Sequence, residues 1–294
     1  FMELRQLKTF VAAAQLESFS GAAQRLGYSQ SAVTVQMRLL EEELGVRLFD
    51  RMGKRVALTA QGERFLRQSQ KILMEVNEAK ELASQEGELR NPLHIGTLES
   101  LCCAKLPQVL RYFRAHHPAV PIKITTAEPA RLYEMLDQNL LDLIYLLDRA
   151  RFNTDWEKVM EKKEPVVFVT SASYWGERPR RLHMKELAGE PFFLTEKHEN
   201  YRRELDAFLE TQSLALTPAL EIGSTDFIIR QIKENGGISY LPYFAVAEGI
   251  GKGELAVLEV EGLQVEMYQQ VFYHKSRWRT REMEAFIEVV SSVV

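Results

Sequence analysis

Four polar side chains between residues 30 and 38 have the spacing and the chemistry to bind a partner outside the protein. Gln30, Ser31, Thr34 and Arg38 recur at steps that place them together on one side of a helix. Amide, hydroxyl and guanidinium groups can form hydrogen bonds with the edges of base pairs. The other side of this helix is apolar and consists of Val33, Met37, Leu40 and Leu44. The polar face is therefore either solvated or in contact with DNA.

A short basic stretch follows, and its chemistry suits phosphate groups. Between residues 46 and 55 the cations Arg47, Arg51, Lys54 and Arg55 are opposed only by Asp50. Residues 52–54 predict a tight turn between two extended segments. A basic hairpin beside a polar helix predicts a wing that contacts the DNA backbone or the minor groove. The net charge of −4 is no argument against this, since a whole-chain sum hides local patches.

The residues that could carry redox, metal or enzyme chemistry are few. Cys102 and Cys103 are adjacent, which does not suit disulfide geometry. Thiols at a helix start can react as thiolates, so a redox sensor is one alternative, and two small buried core residues are the other. The six histidines lack metal-ligand spacing, and the sequence contains no nucleophile elbow, phosphate loop, zinc-binding or nicotinamide motif. We expect no catalytic residue, no metal site and no cofactor.

The N-terminal elements must position the polar helix. Apolar spacing predicts a first helix over residues 3–17. Ser20 is expected to cap a short helix that Gly27 ends, and Ser29 to cap the next helix, which stops at Gly45. This order is the helix-turn-helix arrangement, in which the start of the second helix reaches base edges in the major groove.

A long helix is predicted from about Thr59 towards Gly87. Its apolar positions alternate steps of four and three residues, which is the seam of a coiled coil. The seam consists of Phe65, Ser69, Ile72, Val76, Ala79 and Ala83. Such a helix cannot bury its stripe alone, so it predicts a dimer that presents two recognition helices to a two-fold DNA site.

Length and composition bound the remaining choices. A chain of 294 residues is about twice the usual single-domain length, so two or more domains are expected. The contents of 46% hydrophobic and 27% charged residues are those of an ordinary globular protein and exclude a disordered chain. The longest apolar run, at 140–147, is interrupted by Asp142 and is far shorter than the roughly 20 residues that span a membrane. Without a signal-peptide pattern, a cytoplasmic location is expected.

Residues 10–62 resemble, in order and spacing, the N-terminal signature of LysR-type transcriptional regulators. The matching residues are Ser18, Phe19, Ser20, Ala22, Ala23, Leu26, Ser29, Gln30, Ala32, Val33, Leu40, Glu41, Leu44, Gly45, Leu48, Phe49, Arg51, Leu58, Thr59 and Gly62. The resemblance implies a winged helix-turn-helix that binds DNA through Gln30, Ser31, Thr34 and Val35, with Arg51, Lys54 and Arg55 around the wing. Arg38 lies on the same polar face. At Val35 the family often has a basic residue, whereas valine can contact a thymine methyl group but not guanine or phosphate.

Beyond a polar connector at 84–92, strand and helix patterns alternate, which predicts a mostly parallel α/β sheet followed by a second α/β unit. The predicted strands are at 93–97, 122–126, 141–147, 166–171, 219–222, 238–241 and 267–275. The predicted helices are at 102–115, 130–139, 201–211, 226–234 and 243–250, with a last helix from Thr280.

The resemblance implies two Rossmann-like α/β subdomains, as in a periplasmic binding protein. The expected division is a DNA-binding domain at 2–59, a linker and dimerisation helix at 60–89 and an effector-binding domain at 90–294, with subdomain I at about 92–165 and 267–294 and subdomain II at about 166–266.

Ligands of α/β sheets bind beyond the carboxyl ends of the strands, so the candidate effector residues are taken from those loops. They are Thr97, Glu99, Ser100, Thr126, Thr195, Tyr201, Arg202, Ser224 and Thr225. Glu99 at a helix start would repel an anion, so either the effector carries an amine, or it binds elsewhere, or Glu99 is simply a solvated helix-start acid. Arg202 could bind a carboxylate, but pairing with Glu204 or Asp206 is the more ordinary outcome.

The resemblance also implies the partners. They are a double-stranded DNA operator with an interrupted palindrome, a small-molecule effector bound between the subdomains, RNA polymerase, and further copies of the chain in a homodimer or homotetramer. Binding of the effector would change the arrangement of the subdomains and, through the long helix, the DNA-binding heads.

Overall fold

The computed structural model of the chain describes residues 2–52, 55–83, 87–263 and 265–293, without the side chains at 51, 52, 55, 74, 77, 78 and 80–83. The chain forms two compact units. The first comprises the chain up to Gly87 together with Ser276–Trp278, and the second comprises Glu88–Lys275 and Arg279–Val294. No helix in the described ranges is both long and apolar enough to cross a membrane.

The first unit contains three helices, an antiparallel hairpin and a long helix, in the predicted order. The elements are α1 (Leu4–Leu16), α2 (Phe19–Leu26), α3 (Gln30–Leu44), β1 (Phe49–Met52), β2 (Arg55–Leu58) and α4 (Ala60–Ala83). The two strands pair from Phe49 with Leu58 to Met52 with Arg55. Of the turn predicted at 52–54, residue 52 ends β1, and residues 53–54 lie outside the described residues.

Capping residues fix the ends of the two short helices. Gly27 and Gly45 end α2 and α3 in the left-handed conformation, and the Ser29 hydroxyl accepts a hydrogen bond from the backbone of α3, as predicted. The prediction that Ser20 caps α2 was wrong. Ser18 is the cap, since its hydroxyl accepts a hydrogen bond from the Gly21 amide at 3.1 Å, and Ser20 lies inside the helix.

An aromatic cluster holds the first unit together. The Phe10 ring lies 5.3 Å from that of Phe49 and 5.1 Å from that of Phe65. Half-buried Phe65 of α4, predicted for the dimer seam, therefore also contacts its own chain's core. Gly62, also in α4, lies so close to the chain before the hairpin that a Cβ atom there would be 2.1 Å from the Leu48 carbonyl oxygen. The start of α4 is thus packed directly against the hairpin.

The second unit contains two α/β lobes. Lobe I has the five-stranded sheet β4-β3-β5-β13-β6, and lobe II has the four-stranded sheet β11-β7-β12-β8 and the small pair β10-β9. The strands are β3 (Leu93–Thr97), β4 (Ile122–Thr126), β5 (Leu143–Asp148), β6 (Trp156–Glu164), β7 (Val166–Ser171), β8 (Arg181–Leu182), β9 (Phe193–Leu194), β10 (Leu220–Glu221), β11 (Ile238–Pro242), β12 (Leu255–Val260) and β13 (Met267–His274). The helices are α5 (Glu99–Ala104), α6 (Leu106–His116), α7 (Pro129–Asp137), α8 (Ala172–Trp175), α9 (Asn200–Thr211), α10 (Thr225–Asn235), α11 (Tyr243–Gly251) and α12 (Arg281–Val293).

Three features of this unit differ from the sequence prediction. The sheet of lobe II is not mostly parallel, because β7 pairs antiparallel with both β11 and β12. The helix predicted at 102–115 begins earlier, at Glu99, and is divided at Lys105, two residues before Pro107 at the start of α6. Strands β6, β8, β9 and β12 and the short helix α8 were not predicted. Strand β13 returns to lobe I and pairs with β5 and β6, so the end of the chain completes the first lobe.

Candidate DNA-binding helix and effector cleft

Helix α3 presents the predicted polar face to solvent. The Gln30, Ser31 and Arg38 residues are exposed, Thr34 is half-buried, and Val35 is an exposed apolar residue on the same side. The opposite side is the predicted core face, where Val33, Met37 and Leu40 are buried. The amphipathic pattern of α3 was therefore predicted correctly.

Local bonds hold the exposed groups without burying them. The Thr34 hydroxyl donates to the Gln30 carbonyl at 3.0 Å, within the helix. Arg38 pairs with Glu42 one turn later at 2.9 Å, and both side chains remain more than half exposed. A pair of this kind contributes little to stability, so the Arg38 guanidinium can exchange Glu42 for an outside anion at small cost.

The hairpin is tied to α3 by Glu41. Its Oε1 atom accepts hydrogen bonds from the backbone amides of Leu48 at 2.7 Å and Phe49 at 3.1 Å. On the other side, the Thr59 hydroxyl donates to the Arg47 carbonyl at 2.7 Å. The Glu41 bonds therefore fix the start of the hairpin to α3, and the Thr59 bond ties the end of the hairpin to its start. The Arg51 and Arg55 side chains and all of Lys54, which the sequence assigns to this wing, lie outside the described residues.

In the second unit, Glu99 joins the two lobes. It begins α5 of lobe I, and its carboxylate accepts a hydrogen bond from the Ser224 hydroxyl at 3.0 Å and another from the Thr225 amide at 3.0 Å. Thr225 is the first residue of α10 in lobe II. The carboxylate therefore occupies the positive end of the α10 dipole, which is the place where an anionic ligand would bind.

Five of the nine candidate effector residues surround one small cavity beside this contact, and Ser224 is bonded to Glu99 at its edge. The lining residues are Leu98, Glu99, Ser100, Thr195, Glu199, Tyr201, Gly223 and Thr225. The cavity volume is about 10 Å³, close to what one water molecule needs. A larger open hollow of about 620 Å³ lies along α6 and includes none of the candidate residues.

Glu199 is the functional candidate that the sequence reasoning missed. It immediately precedes α9, and burial raises the pKa of its carboxyl group to about 7. Glu196, Glu99 and Glu128 raise this pKa further, whereas His198 lowers it. The cavity therefore combines two acidic side chains, Glu99 and Glu199, with hydroxyl groups. No local sequence signal identifies Glu199, because it becomes a candidate only where the fold places it beside Glu99, which lies in the other lobe and one hundred positions earlier in the chain.

Three candidate residues lie outside this cavity. The Thr97 hydroxyl is buried and donates to the Tyr145 carbonyl at 2.8 Å, and Thr126 is exposed at the end of β4. Arg202 is buried, and its guanidinium binds Asp206 at 3.0 Å, Glu221 at 3.2 Å and the Thr195 carbonyl at 2.6 Å. Its bonding groups are thus engaged within lobe II, which agrees with the expected Asp206 pair but not with a solvated position.

The cysteines do not have the environment of reactive thiolates. Cys102 is half-buried and Cys103 is exposed, so the expectation that both are buried was wrong. Burial of the thiol and the Glu99 carboxylate raise the pKa of Cys103 to about 11, and they raise that of Cys102 as well. A raised pKa lowers the thiolate fraction and disfavours redox sensing. Among the described residues, no cluster of three histidine, cysteine or acidic residues could hold a metal.

Comparison with known families accounts for both units. Residues 4–63 match the bacterial regulatory helix-turn-helix protein, lysR family, and residues 86–294 match the LysR substrate binding domain. The chain belongs to the LysR family. It is therefore a LysR-type DNA-binding transcriptional regulator with an effector-binding domain, as the sequence resemblance predicted.

Related chains share this organisation along their whole length. This LysR-type chain is 32% identical to the HTH-type transcriptional regulator YwqM of Bacillus subtilis, over 98% of each chain. It is 28% identical to the HTH-type transcriptional activator CmpR of Synechocystis, over 97% of this chain and 93% of CmpR. These relatives are named as transcriptional regulators rather than as enzymes.

Solved structures show the same fold. Full-length OxyR from Pseudomonas aeruginosa superposes with a TM-score of 0.78 at 24% identity, covering 99% of this chain and 95% of OxyR. CbnR, solved with its target DNA, has a TM-score of 0.52 at 22% identity, covering 99% of both chains. The predicted winged helix-turn-helix and paired α/β lobes are thus confirmed as the LysR-type fold.

Proposed function

We propose that this LysR-type regulator reads its operator through the exposed face of α3. Gln30, Ser31, Thr34 and Val35 lie at the start of the helix, where a recognition helix enters the major groove, and Arg38 lies one turn further along. The buried opposite face of α3 supports this assignment, since it fixes which side chains point outward. Val35 would contact a thymine methyl group, and Arg38 would contact phosphate.

The hairpin is proposed to act as the wing. Glu41 and Thr59 hold its two ends, and the basic residues Arg51, Lys54 and Arg55 lie in its sequence. Cations at this position would neutralise backbone phosphates and release counterions, so DNA binding should weaken with salt.

The long helix α4 is proposed to join two copies of the chain. Ile72 and Val76 are only half-buried, and Ala79 is exposed, so an apolar stripe remains for a partner along the described part of the predicted seam. A dimer would present two recognition helices to an interrupted palindrome.

Assembly into a homotetramer and contact with RNA polymerase complete the proposed mechanism. We retain the division into a DNA-binding domain at 2–59, a linker helix at 60–89 and an effector domain at 90–294, with its two subdomains.

The cleft between lobes I and II is proposed to bind the effector. Support comes from the cavity that Ser100, Thr195, Tyr201 and Thr225 line, with Glu99 and Ser224 as the bridge across it. An effector that changes this bridge would favour one arrangement of the lobes, which is the condition for control by a ligand. Thr97, Thr126 and Arg202 are proposed only as supporting residues around this cleft.

The observation that carries the DNA-binding assignment is the exposed polar face of α3, and a matched pair of arginines tests it. Arg38 and Arg5 are both about 60% exposed, and each pairs with a glutamate. Binding of the protein to the intergenic DNA upstream of its own gene, and to scrambled DNA, would be measured by fluorescence anisotropy over a salt series. Arg38→Ala should weaken binding and reduce the slope of log K against log salt by about 0.9, whereas Arg5→Ala on α1 should leave both unchanged. Equal effects of the two substitutions would refute the assignment.

A further inference from the structure

The cavity between the lobes is lined by acidic and neutral hydrogen-bonding groups. Glu99 and Glu199 contribute carboxyl groups, and Ser100, Thr195, Tyr201 and Thr225 contribute hydroxyls. Over the described ranges, no lysine or arginine lines it. An anionic ligand would therefore meet two acids and no compensating cation.

The two donors at the start of α10 are already in use. The start of α10 offers the Thr225 amide and the Ser224 hydroxyl, and both donate to Glu99. A carboxylate ligand would have to displace Glu99, and the displaced side chain would then repel it at close range. The internal carboxylate thus excludes the ligand class that a free helix N-terminus favours.

A second, independent observation indicates that the cavity is a binding site. Thr195 is only 2% exposed and lines the cavity, yet no hydrogen bond of good geometry reaches its hydroxyl among the described residues. The Tyr201 hydroxyl lies near it. Burial raises the pKa of Tyr201, and a hydrogen-bonding interaction between the two hydroxyls acts to lower it, but the contact falls short of good hydrogen-bond geometry. Buried hydroxyl groups are normally hydrogen-bonded, so this group has an unused lone pair for a ligand.

We propose that the effector carries a protonated primary amine, which binds in this cavity between Glu99 and Glu199 and donates a hydrogen bond to the Thr195 hydroxyl. This inference rests on the proposed role of the cleft as the effector site. An ammonium group is similar in size to a water molecule, which is what the cavity accommodates. It has three donors and no acceptor, so it matches two carboxylates and one hydroxyl.

Glu199 makes the binding depend on pH. Its pKa is raised to about 7, and the groups that act on it are Glu99, Glu128, Glu196 and His198. An alkyl ammonium group stays charged well above this pH. Binding should therefore tighten as the pH rises through about 7, because Glu199 must lose its proton to pair with the amine. A group with a pKa of about 7 is roughly tenfold more ionised at pH 8 than at pH 6.

The probe is methylammonium chloride, applied to the full chain. Its binding would be followed by thermal unfolding and calorimetry at pH 6 and pH 8, against equal concentrations of tetramethylammonium chloride, sodium chloride and sodium acetate. We expect saturable stabilisation by methylammonium alone, about tenfold weaker in affinity at pH 6 than at pH 8. Equal responses to methylammonium and sodium chloride, or stabilisation by acetate instead, would overturn the proposal.

Three variants and one control variant separate a site from a general salt effect. Glu99→Gln and Thr195→Val should weaken methylammonium binding, the former by at least about tenfold, since it removes a charge-assisted bond. Glu199→Gln should abolish the pH dependence. Glu134→Gln, which removes an exposed acid of α7, should change neither the affinity for methylammonium nor its pH dependence. If Thr195→Val unfolds, the loss of pH dependence in Glu199→Gln still decides the question.

Operator binding would be measured on the same preparations. Specific DNA binding without any amine effect would overturn this inference and leave the regulator function standing. Absence of specific DNA binding would instead refute the proposed function. The two failures are therefore distinguishable.

Discussion

Removal of the Glu41 carboxylate should release the wing from α3. The Oε1 atom accepts two backbone hydrogen bonds, from the buried residues Leu48 and Phe49. Glu41→Ala would leave both amides without an acceptor. An unsatisfied buried donor costs about 1–3 kcal/mol, so the two together should destabilise the attachment of the wing by about 2–6 kcal/mol. Glu41→Gln keeps an oxygen acceptor and should cost only about 1 kcal/mol.

Amide hydrogen exchange measures this effect at the bonds themselves. A loss of 2 kcal/mol corresponds to roughly 30-fold faster exchange at Leu48 and Phe49 in Glu41→Ala, with weaker DNA binding in the anisotropy assay. Glu42→Ala is the matched control, because it removes the adjacent acid, whose exposed pair with Arg38 is worth about 0.5 kcal/mol or less. Equal protection losses in the two variants, or unchanged protection in Glu41→Ala, would refute the reasoning.

Three further predictions follow from single contacts. Gly62→Ala should destabilise the first unit by more than about 2 kcal/mol in chemical denaturation, because its Cβ atom would lie 2.1 Å from the Leu48 carbonyl oxygen. Cys103 should react with iodoacetamide at pH 8 at least about tenfold more slowly than in the unfolded chain, because burial and the Glu99 carboxylate raise its pKa to about 11. Burial raises the pKa of Glu199 from 4.5 to about 7. Between pH 4.5 and pH 7 the folded protein therefore keeps a proton on Glu199 that the unfolded chain has lost. Because of this difference, the free energy of unfolding falls as the pH rises from 4.5 to 7. Glu199→Gln should therefore stabilise the protein at pH 8 by up to about 3 kcal/mol and have little effect at pH 4.5.

Each of these predictions has a control or a contradicting outcome. Gly87→Ala should have little effect, since no atom of the described part of the chain lies within 4 Å of its added Cβ, and equal costs for the two glycines would contradict the steric account. Faster alkylation is expected for Cys103 in Glu99→Gln, and an unchanged rate would show that Glu99 does not control the thiol. For Glu199→Gln, a stabilisation that is the same at pH 4.5 and pH 8 would rule out ionisation as its cause.

The first unit was predictable because its signals are local. Glycines end α2 and α3 where the sequence places them, and the apolar period of α3 defines its buried face. Ser20 was chosen wrongly as a cap because serine occurs at both 18 and 20, and only the folded backbone shows which hydroxyl reaches the Gly21 amide. Phe65 fits the coiled-coil spacing, but its partner Phe10 is remote in sequence.

The candidate effector cleft was only partly predictable, because its chemistry depends on non-local contacts. Strand-end logic located Glu99 and Thr225, but it could not show that they bond to each other across two lobes. Arg202 looked like a surface arginine in sequence, yet it is buried among acids from two elements. Strand β6 escaped notice because it is rich in charged residues and has no regular alternation of buried and exposed positions.

The bridge from Glu99 to the start of α10 also bears on how the specificity of such a regulator can evolve. A glutamate codon is one base change away from codons for glycine, alanine and glutamine. Glycine or alanine would remove the internal carboxylate and free the Thr225 amide and the Ser224 hydroxyl for an outside anion, whereas glutamine would remove the charge but keep an oxygen acceptor. A single nucleotide change could thus switch the charge of the metabolites that the regulator senses, while its operator recognition, which resides in the other unit, stays the same.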